Sequence, residues 1–552
     1  MASYTFKPVI VSHNPGDNEA ATVILKRWYD KAELAHAIEY LPPGLTIHSW
    51  ATVLNKLKDV LGTGKVVVGK ELHIEYMDPF SMNADEREKR GSACAVRPTT
   101  VEEIQKIVAI ANEYKIPLWT VSRGKNLGYG GPQARVKGSI IVDLQNMNKI
   151  LDVNDKFSYY TVEPGVSFFE LFQEIQAQKK HIWCSAPALG WGSVVGNALD
   201  RGWGYTTHGD HSNQICGIEV VLPDGTLVRT GMGALDNSVF SLTSVLSPKC
   251  QSGLALPPRG FTRVVLSVPE ERDLAPMVDT LRELLLREKI QNHPVIGNVL
   301  REINKRGLRK DFWNEDTSIP YHRIKEIQKE LGLGFWDATF ALYGPKEVMD
   351  YNLKQIQEAF KPIKGHSLTA AAHYPKPGQK YLNALDVPYD LQTGNPGLRP
   401  IKSIEYRGLD GGHISFSPVL PSDGKAALDF YYTAQKLCQK HGYDFVAGLH
   451  MHLRHMTHIN MIHFDRNSQK DKDTANALFV DLVHAARQAG YGEYRAHIEH
   501  MDLVAEQYDY GGGALMRLNE RIKDTLDPNG ILSPGKQGIW PKHYRNKGKS
   551  QL

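Results

Sequence analysis

Near residue 260 the rhythm of the chain changes, and that change limits the folds open to it. From residue 99 to about 230, helix and strand signals alternate. Thr100 with Glu103 forms a capping-box pattern, after which Val101, Ile104, Ile107, Val108 and Ala111 fall on one helical face. A strand is expected at 118–121, then a glycine-rich loop and a strand at 139–144. A second unit runs through 159–162, turns at Glu163-Pro164-Gly165 and enters a helix capped by Ser167. Pro223-Asp224-Gly225 supplies turn chemistry between two β-branched runs and predicts a hairpin over 218–230. Past residue 260 the helical patterns lengthen (about 276–288, 346–361, 424–441 and 473–489), each near a short strand such as 338–343, 413–417 or 459–463. Strands joined by long helical connections predict an antiparallel sheet covered by helices on one face. From Tyr491 the chain passes without a linker into an amphipathic helix and the loop Asp527-Pro528-Asn529-Gly530, a stretch expected to return to the first domain. The expected fold is therefore α+β, with a discontinuous domain of residues 1–258 and 491–552 interrupted by a second domain, 259–490.

Composition narrows the function classes. Sixty-five Lys and Arg face 61 Asp and Glu, and the surplus of +4 is spread along the chain, which argues against a nucleic-acid partner. No apolar run approaches the roughly 20 residues that cross a bilayer, and residues 1–11 lack the regions of a signal peptide. An intracellular protein without a membrane partner is expected. Five cysteines, far apart and without a CxxC, suggest reduced thiols rather than a disulfide framework. The 22 His and 24 Tyr, many near glycines, are where chemistry is sought.

The loop Ser122-Arg-Gly-Lys-Asn-Leu-Gly-Tyr-Gly-Gly131 follows a strand and precedes another. Its backbone N–H groups can turn inward around phosphate oxygens, with glycine permitting the necessary φ values. It does not open a helix, so it is neither a Walker loop nor a dinucleotide fingerprint. From the residues alone, a phosphate cradle and a tight turn between strands both remain open.

This loop resembles the diphosphate-binding loop of the vanillyl-alcohol oxidase and 4-cresol dehydrogenase family of flavoenzymes. The resemblance continues through Val162-Glu-Pro-Gly-Val166, Gly192-Ser-Val-Val-Gly-Asn197, Gly204-Tyr205, Gly231-Met-Gly-Ala234, Gly412-His413, Gly492-Glu-Tyr-Arg495, Asp527-Pro-Asn-Gly-Ile531 and Pro534-Gly-Lys536. It implies an FAD-binding domain broken by a cap domain over the isoalloxazine ring. It also implies FAD contacts at Ser122, Gly124, Lys125, Asn126, Gly128, Gly130, Gly192, Ser193, Gly196, Asn197 and Lys536. His413 falls at the position joined covalently to the flavin 8α-methyl carbon, although the histidine that activates this linkage is replaced by Phe80 and Ser81 after Asp78-Pro79. Tyr129, Tyr494 and Arg495 match the residues that bind a substrate phenolate. A guanidinium and two phenolic O–H donors can hold an ionised phenol, and its para oxygen then weakens the benzylic C–H bond.

The implied reaction is hydride transfer from the benzylic carbon of a para-substituted phenol to flavin N5, with O2 or another acceptor taking the electrons and O2 yielding H2O2. Two departures bear on it. Ala188 stands where relatives acting on vanillyl alcohol carry an acid, so Asp200, Tyr205 and His211 become the candidates for proton handling, with Tyr205 placed among the catalytic residues. Between Asn237 and Pro257 the chain lacks the family's longer segment, so one strand of the FAD domain is expected to be missing and a sheet edge left unpaired.

His450, His452, His455, His458 and His463 form a local cluster in which His450, His452 and His458 share strand parity. A mononuclear metal site and a pocket lining are the two readings; the pocket is adopted, with no metal assigned. An alcohol or polyol oxidase of the same fold and a non-catalytic, cofactor-poor relative are the alternative functions. A homo-oligomer is expected. The terminal Ser550-Gln551-Leu552 is close to the peroxisomal Ser-Lys-Leu signal, which leaves cytoplasm and peroxisome as expected locations.

Overall fold

Thr100 caps the helix Val101–Tyr114 by accepting from Glu103 N, but the expected reciprocal bond is absent. The Glu103 carboxylate turns instead to Lys65 Nζ and to the backbone N–H of Thr99. At Ser167 and Glu170 both halves of the capping box are present, and the helix Phe168–Ala177 follows. The computed structural model describes residues 5–34, 40–82, 90–234, 250–253, 255–388 and 391–545.

Three sheets organise the chain. The first holds β1 (Val66–Val67), β2 (Cys94–Val96), β3 (Leu118–Val121) and β4 (Ile140–Asp143), in the order β1-β2-β4-β3, with β2 and β3 parallel to β4. The helices Ile47–Leu61 and Val101–Tyr114 bury their apolar faces against it. The second is antiparallel and holds β5 (Ile150–Asn154), β6 (Tyr159–Val162), β7 (Ile215–Val221), β8 (Leu227–Arg229) and β9 (Cys250–Gly253), in the order β5-β6-β9-β7-β8. The 218–230 hairpin is thus present as β7 and β8. The missing-strand expectation is corrected at β9, where Cys250–Gly253 pairs with β6 on one side and β7 on the other. Residues 235–249, the rest of the shortened stretch, lie outside the described residues.

The third sheet has eight antiparallel strands: β10 (Phe261–Val268), β11 (Val295–Asn298), β12 (Trp336–Tyr343), β13 (Ser367–His373), β14 (Gly411–Phe416), β15 (Val419–Pro421), β16 (Ala447–Met451) and β17 (His455–Asp465). Side chains alternate between its faces. Ile296, Ala338, Phe340, Ile414, Phe416, Leu449, Ile462 and Phe464 point into one core with Leu281, Ile356, Tyr431 and Phe479 from the four long helices. The opposite face carries His413, His463, His450, Gly448 and Gly297, as the register requires.

The C-terminal stretch reaches the first sheet. After the helix Tyr510–Leu526, the buried Asp527 accepts from Ile531 N and Leu532 N, and Leu532 then bridges Leu118 of β3 in parallel. Among the described residues no helix is long and apolar enough to cross a membrane, and Cys94, Cys184, Cys216 and Cys438 are free thiols.

Candidate functional site

The loop between β3 and β4 is held from below by one carboxylate. Asp78, fully buried, accepts from Gly128 N (3.0 Å) and Gly130 N (3.1 Å) with one oxygen and from Phe80 N (3.0 Å) with the other. Burial pushes its carboxyl up to about 6, against the pull of these three amides. Phe80 O in turn accepts from His413 N (3.2 Å). Gly128, at φ +78°, lies so close beneath the His413 ring that a Cβ there would overlap the imidazole. The Asp78 turn thereby ties the loop to β14.

Above the loop opens a cavity of about 1100 Å³. Ser122, Gly124, Lys125, Asn126, Tyr129, Gly192, Ser193, Gly196, Asn197, Arg495 and Lys536 line it, so most of the sequence-derived cofactor positions meet in one space. Gly128 and Gly130, held by Asp78, stand outside its lining, as do His413, Tyr205 and Tyr494. Ser193 caps the short helix Val194–Leu199, accepting from Gly196 N and donating to Pro164 O. A Cβ on Gly196 would come within 2.8 Å of Ser122 Oγ, so only glycine lets these two walls approach. Lys125 extends into the cavity, and among the described residues no carboxylate lies within ion-pair distance of it; burial and the neighbouring Arg123 lower its pKa. An elongated space with one uncompensated cation and close-approaching glycine backbone fits a dinucleotide diphosphate. The cavity's donor set thus fits FAD.

Tyr129, Tyr494 and Arg495 converge. The Arg495 guanidinium sits 5.1 Å from the Tyr129 ring centroid and 5.0 Å from that of Tyr494. It donates to Tyr494 Oη (2.9 Å) and to Asn126 Oδ1 (3.2 Å), and the Tyr494 hydroxyl donates to Arg201 O. Burial opposes the charge on Arg495, but the oxygens of Tyr494, Tyr129 and Asp200 hold it protonated beyond its usual range. Burial raises Tyr494, so its hydroxyl stays a donor at neutral pH. Asp200 lies at the same wall, accepting from Asn126 Nδ2 (3.3 Å) with Lys536 3.8 Å away.

His413 is neutral: burial lowers it to about 4, and its Nδ1 has no partner. His497 comes up beside it, bonded through Nε2 to Ser81 Oγ (3.2 Å), and is lowered to about 3, first by burial and then by His500. His211 bonds Asn197 Oδ1 through Nδ1 (2.6 Å) and is also lowered by burial, to about 4.

The histidine run divides. His450, His452 and His455 gather with His293, Trp203 and Tyr205; Trp203 stacks on His452 at 3.7 Å, and Tyr205 lies 5.9 Å from both His293 and His450. His458 instead packs between Phe430 and Phe445 in the core, and His463 between Tyr406 and His413. The expected shared parity fails because the chain reverses at 452–455. His458 pairs with Leu449 and faces the core, whereas His450 pairs with Thr457 on the other face. Among the described residues no group of three or more His, Cys, Asp or Glu side chains is arranged to hold a metal ion. Tyr205 belongs to this aromatic cluster and not to the Tyr129–Arg495 group. Asp78, His293, His497 and Trp203 were not singled out from the sequence; of these only Asp78, in its Asp-Pro turn beside the family motif, carried a local signal.

Residues 92–231 match the family described as FAD binding domain, and residues 408–537 match the C-terminal domain of FAD linked oxidases. With the cavity, these define an FAD-dependent oxidoreductase of the PCMH-type fold. The chain is 33% identical over 520 residues to the flavoprotein subunit of 4-cresol dehydrogenase (hydroxylating) from Pseudomonas putida, covering 90% of this chain and 97% of the relative. The structure of 4-ethylphenol oxidase from Gulosibacter chungangensis in complex with isoeugenol superposes with a TM-score of 0.84 at 30% identity, covering 92% of this chain and 100% of that one. Substrate-bound p-cresol methylhydroxylase superposes with a TM-score of 0.83 at 30% identity, covering 91% and 99%. The chain belongs to the vanillyl-alcohol oxidase and 4-cresol dehydrogenase family of flavoproteins.

Proposed function

We propose that this flavoenzyme oxidises para-substituted phenols, of the 4-alkylphenol or 4-hydroxybenzyl alcohol type, at the benzylic carbon. The observation that carries the reading is the convergence of Arg495, Tyr494 and Tyr129 beside the flavin cavity. Arg495 and the two tyrosine hydroxyls, that of Tyr494 turning from Arg201 O to the substrate, bind the phenol as its phenolate, since a guanidinium and two O–H donors favour the ionised oxygen. Bound FAD supplies the two-electron acceptor, N5, for the hydride that leaves the benzylic carbon, and O2 then removes the electrons as H2O2. The substrate is left as a p-quinone methide. Ala188 exchanges no proton with it, so proton handling falls to Asp200 at the cavity wall and to His211, which is bonded to the wall residue Asn197. His413, neutral with a free Nδ1, is the nucleophile toward the flavin 8α-methyl carbon. Ser122, Gly124, Lys125, Asn126, Gly192, Ser193, Gly196, Asn197 and Lys536 hold the cofactor, and the site lies between a flavin domain of residues 1–258 and 491–552 and a cap of residues 259–490.

The test is anaerobic reduction of the bound flavin by 4-ethylphenol and 4-hydroxybenzyl alcohol. Bleaching in the wild type and a rate at least 100-fold lower in Arg495→Met are expected; equal rates in the two proteins reject the phenolate role.

A further inference from the structure

Arg301 lies on the short helix Val299–Ile303, directly after β11, and its side chain runs back across the sheet. A Cβ on Gly297 would meet Arg301 Cδ at 2.9 Å, and one on Gly448 would meet its Nε at 2.8 Å. Gly297 and Gly448 are cross-strand partners, as are Val295 and His450 one alternation along. Partners share a face, so the two glycines form a groove that the arginine fills, on the face that also carries His450. Arg301 is half-buried. Glu302, whose ionisation Arg301 favours, is paired with Lys305, so among the described residues the partly desolvated guanidinium has no direct ion-pair partner and calls for an anion.

Tyr205 and His450 lie within electrostatic reach of Arg301, and polar groups without partners among the described residues lie next to them. His293 Nε2, both ring nitrogens of His452 and Trp203 Nε1 are buried and unsatisfied. Tyr205 is half-buried, and burial keeps its hydroxyl protonated. The loop that carries Trp203 and Tyr205 also supplies Arg201 O, which accepts from Tyr494 Oη. One loop therefore touches both the phenolate group and the arginine cluster, and the four steps from Arg201 to Tyr205 span at most about 14 Å.

We propose that Arg301, with Tyr205, His293, His450 and His452, forms a subsite for a carboxylate on the para side chain of the substrate, making the preferred substrates 4-hydroxyphenyl alkanoic acids. The substrate class rests on the phenol reading above; the anion site itself does not. A bidentate guanidinium–carboxylate pair leaves carboxylate lone pairs for an imidazole N–H or the Tyr205 hydroxyl, so one carboxylate satisfies the arginine and part of the unpartnered cluster. A small inorganic anion presents the same chemistry, and the experiment separates the two.

Two measurements on the FAD-loaded enzyme decide it. First, kcat/KM is compared for 3-(4-hydroxyphenyl)propanoate and its methyl ester, which differ in the charge and one methyl group. The wild type should favour the acid at least 100-fold, Arg301→Met should bring the ratio within threefold, and Arg301→Lys should restore part of it. A wild-type ratio near one, or a ratio unchanged in Arg301→Met, overturns the proposal. Second, calorimetric binding of 3-phenylpropanoate, which has no phenol, should weaken at least tenfold in Arg301→Met, with inorganic phosphate competing. Binding that ignores the substitution, or phosphate bound at Arg301 without excluding 3-phenylpropanoate, overturns the carboxylate assignment. Flavin that no phenol reduces rejects the phenol reading and the substrate class with it, while Arg301-dependent binding of 3-phenylpropanoate still identifies the anion site.

Discussion

Replacing Asp78 by Asn tests the joint between the glycine loop and the His413 strand through its pH dependence. The carboxyl is raised from an ordinary 3.8 to about 6 in the folded protein, first by burial, which corresponds to about 3 kcal/mol against the ionised form. That penalty is complete above pH 6, fades as the pH falls from 6 to 4, and is gone below the unfolded value. Asp78 thus contributes more stability in acid than at neutrality. Asn escapes the penalty at every pH but has a single acceptor for three N–H donors. Turned toward Gly128 and Gly130, it leaves the Phe80 N–H unpaired, at a cost of about 1–3 kcal/mol. Near pH 8 the two effects nearly offset, and Asp78→Asn should unfold within about 2 kcal/mol of the wild type. Near pH 4.5 the variant should have fallen behind by most of a further ~3 kcal/mol. Urea unfolding followed by tryptophan fluorescence at several pH values between 4.5 and 8 measures this, with groups common to both proteins cancelling in the difference. A difference that stays constant with pH would refute the burial argument.

Three further outcomes follow from the same geometry. Gly128→Ala should yield protein with at least tenfold weaker flavin retention, because its Cβ overlaps His413 at positive φ, whereas Gly225→Ala, with φ +87° and open space around it, should cost about 1 kcal/mol and leave the flavin spectrum intact. In acid-precipitated wild-type protein the flavin should stay with the pellet, and in His413→Ala it should appear in the supernatant; free flavin from the wild type denies the linkage. Arg309 donates to Asp444 at 2.6 Å in the cap interior, where Asp444 also accepts from Ile319 N and Tyr406 Oη. Arg309→Met should therefore lower the unfolding free energy by about 3–5 kcal/mol, and a loss below about 1 kcal/mol would show the pair to be dispensable.

What the sequence revealed followed the range of its signals. The helix spans and the 218–230 hairpin were legible because periodicity and turn chemistry act over a few residues. Cys250–Gly253 was not, since Cys-Gln-Ser-Gly has no β-branched or aromatic residue and becomes a strand only by pairing with β6 and β7 on either side. The histidine parity misled because period two holds along one strand and is reset at a hairpin. Tyr129, Tyr494 and Arg495 were identifiable through motif resemblance, yet their meeting depends on chain segments more than 360 residues apart, as the Arg495–Asn126 bond shows. Arg301 carries no local signature at all, because the groove that holds it is made by Gly297 and by Gly448, on a strand that follows only after most of the cap.

The way these distant segments are joined indicates where specificity resides. Asp78 binds the glycine loop, Phe80 O binds His413 N, Ile498 N donates to Tyr129 O, and Tyr494 N donates to Ser417 O. The loop, β14 and the 492–498 segment are thus fixed to one another through main-chain bonds and one side chain, the Asp78 carboxylate. A closed network of this kind fixes the placement of Tyr129, Arg495 and His413 relative to the cavity, since shifting any one requires breaking buried backbone hydrogen bonds at about 1–3 kcal/mol each. Substrate choice is then left to the side chains that project from this frame toward the substrate. Ala188 withholds a proton exchanger, and Arg301 adds a charge on the same sheet face as His413. On the proposed reading both alter which phenol is accepted and what becomes of it while leaving the frame intact, so that one scaffold admits a different substrate without a different fold.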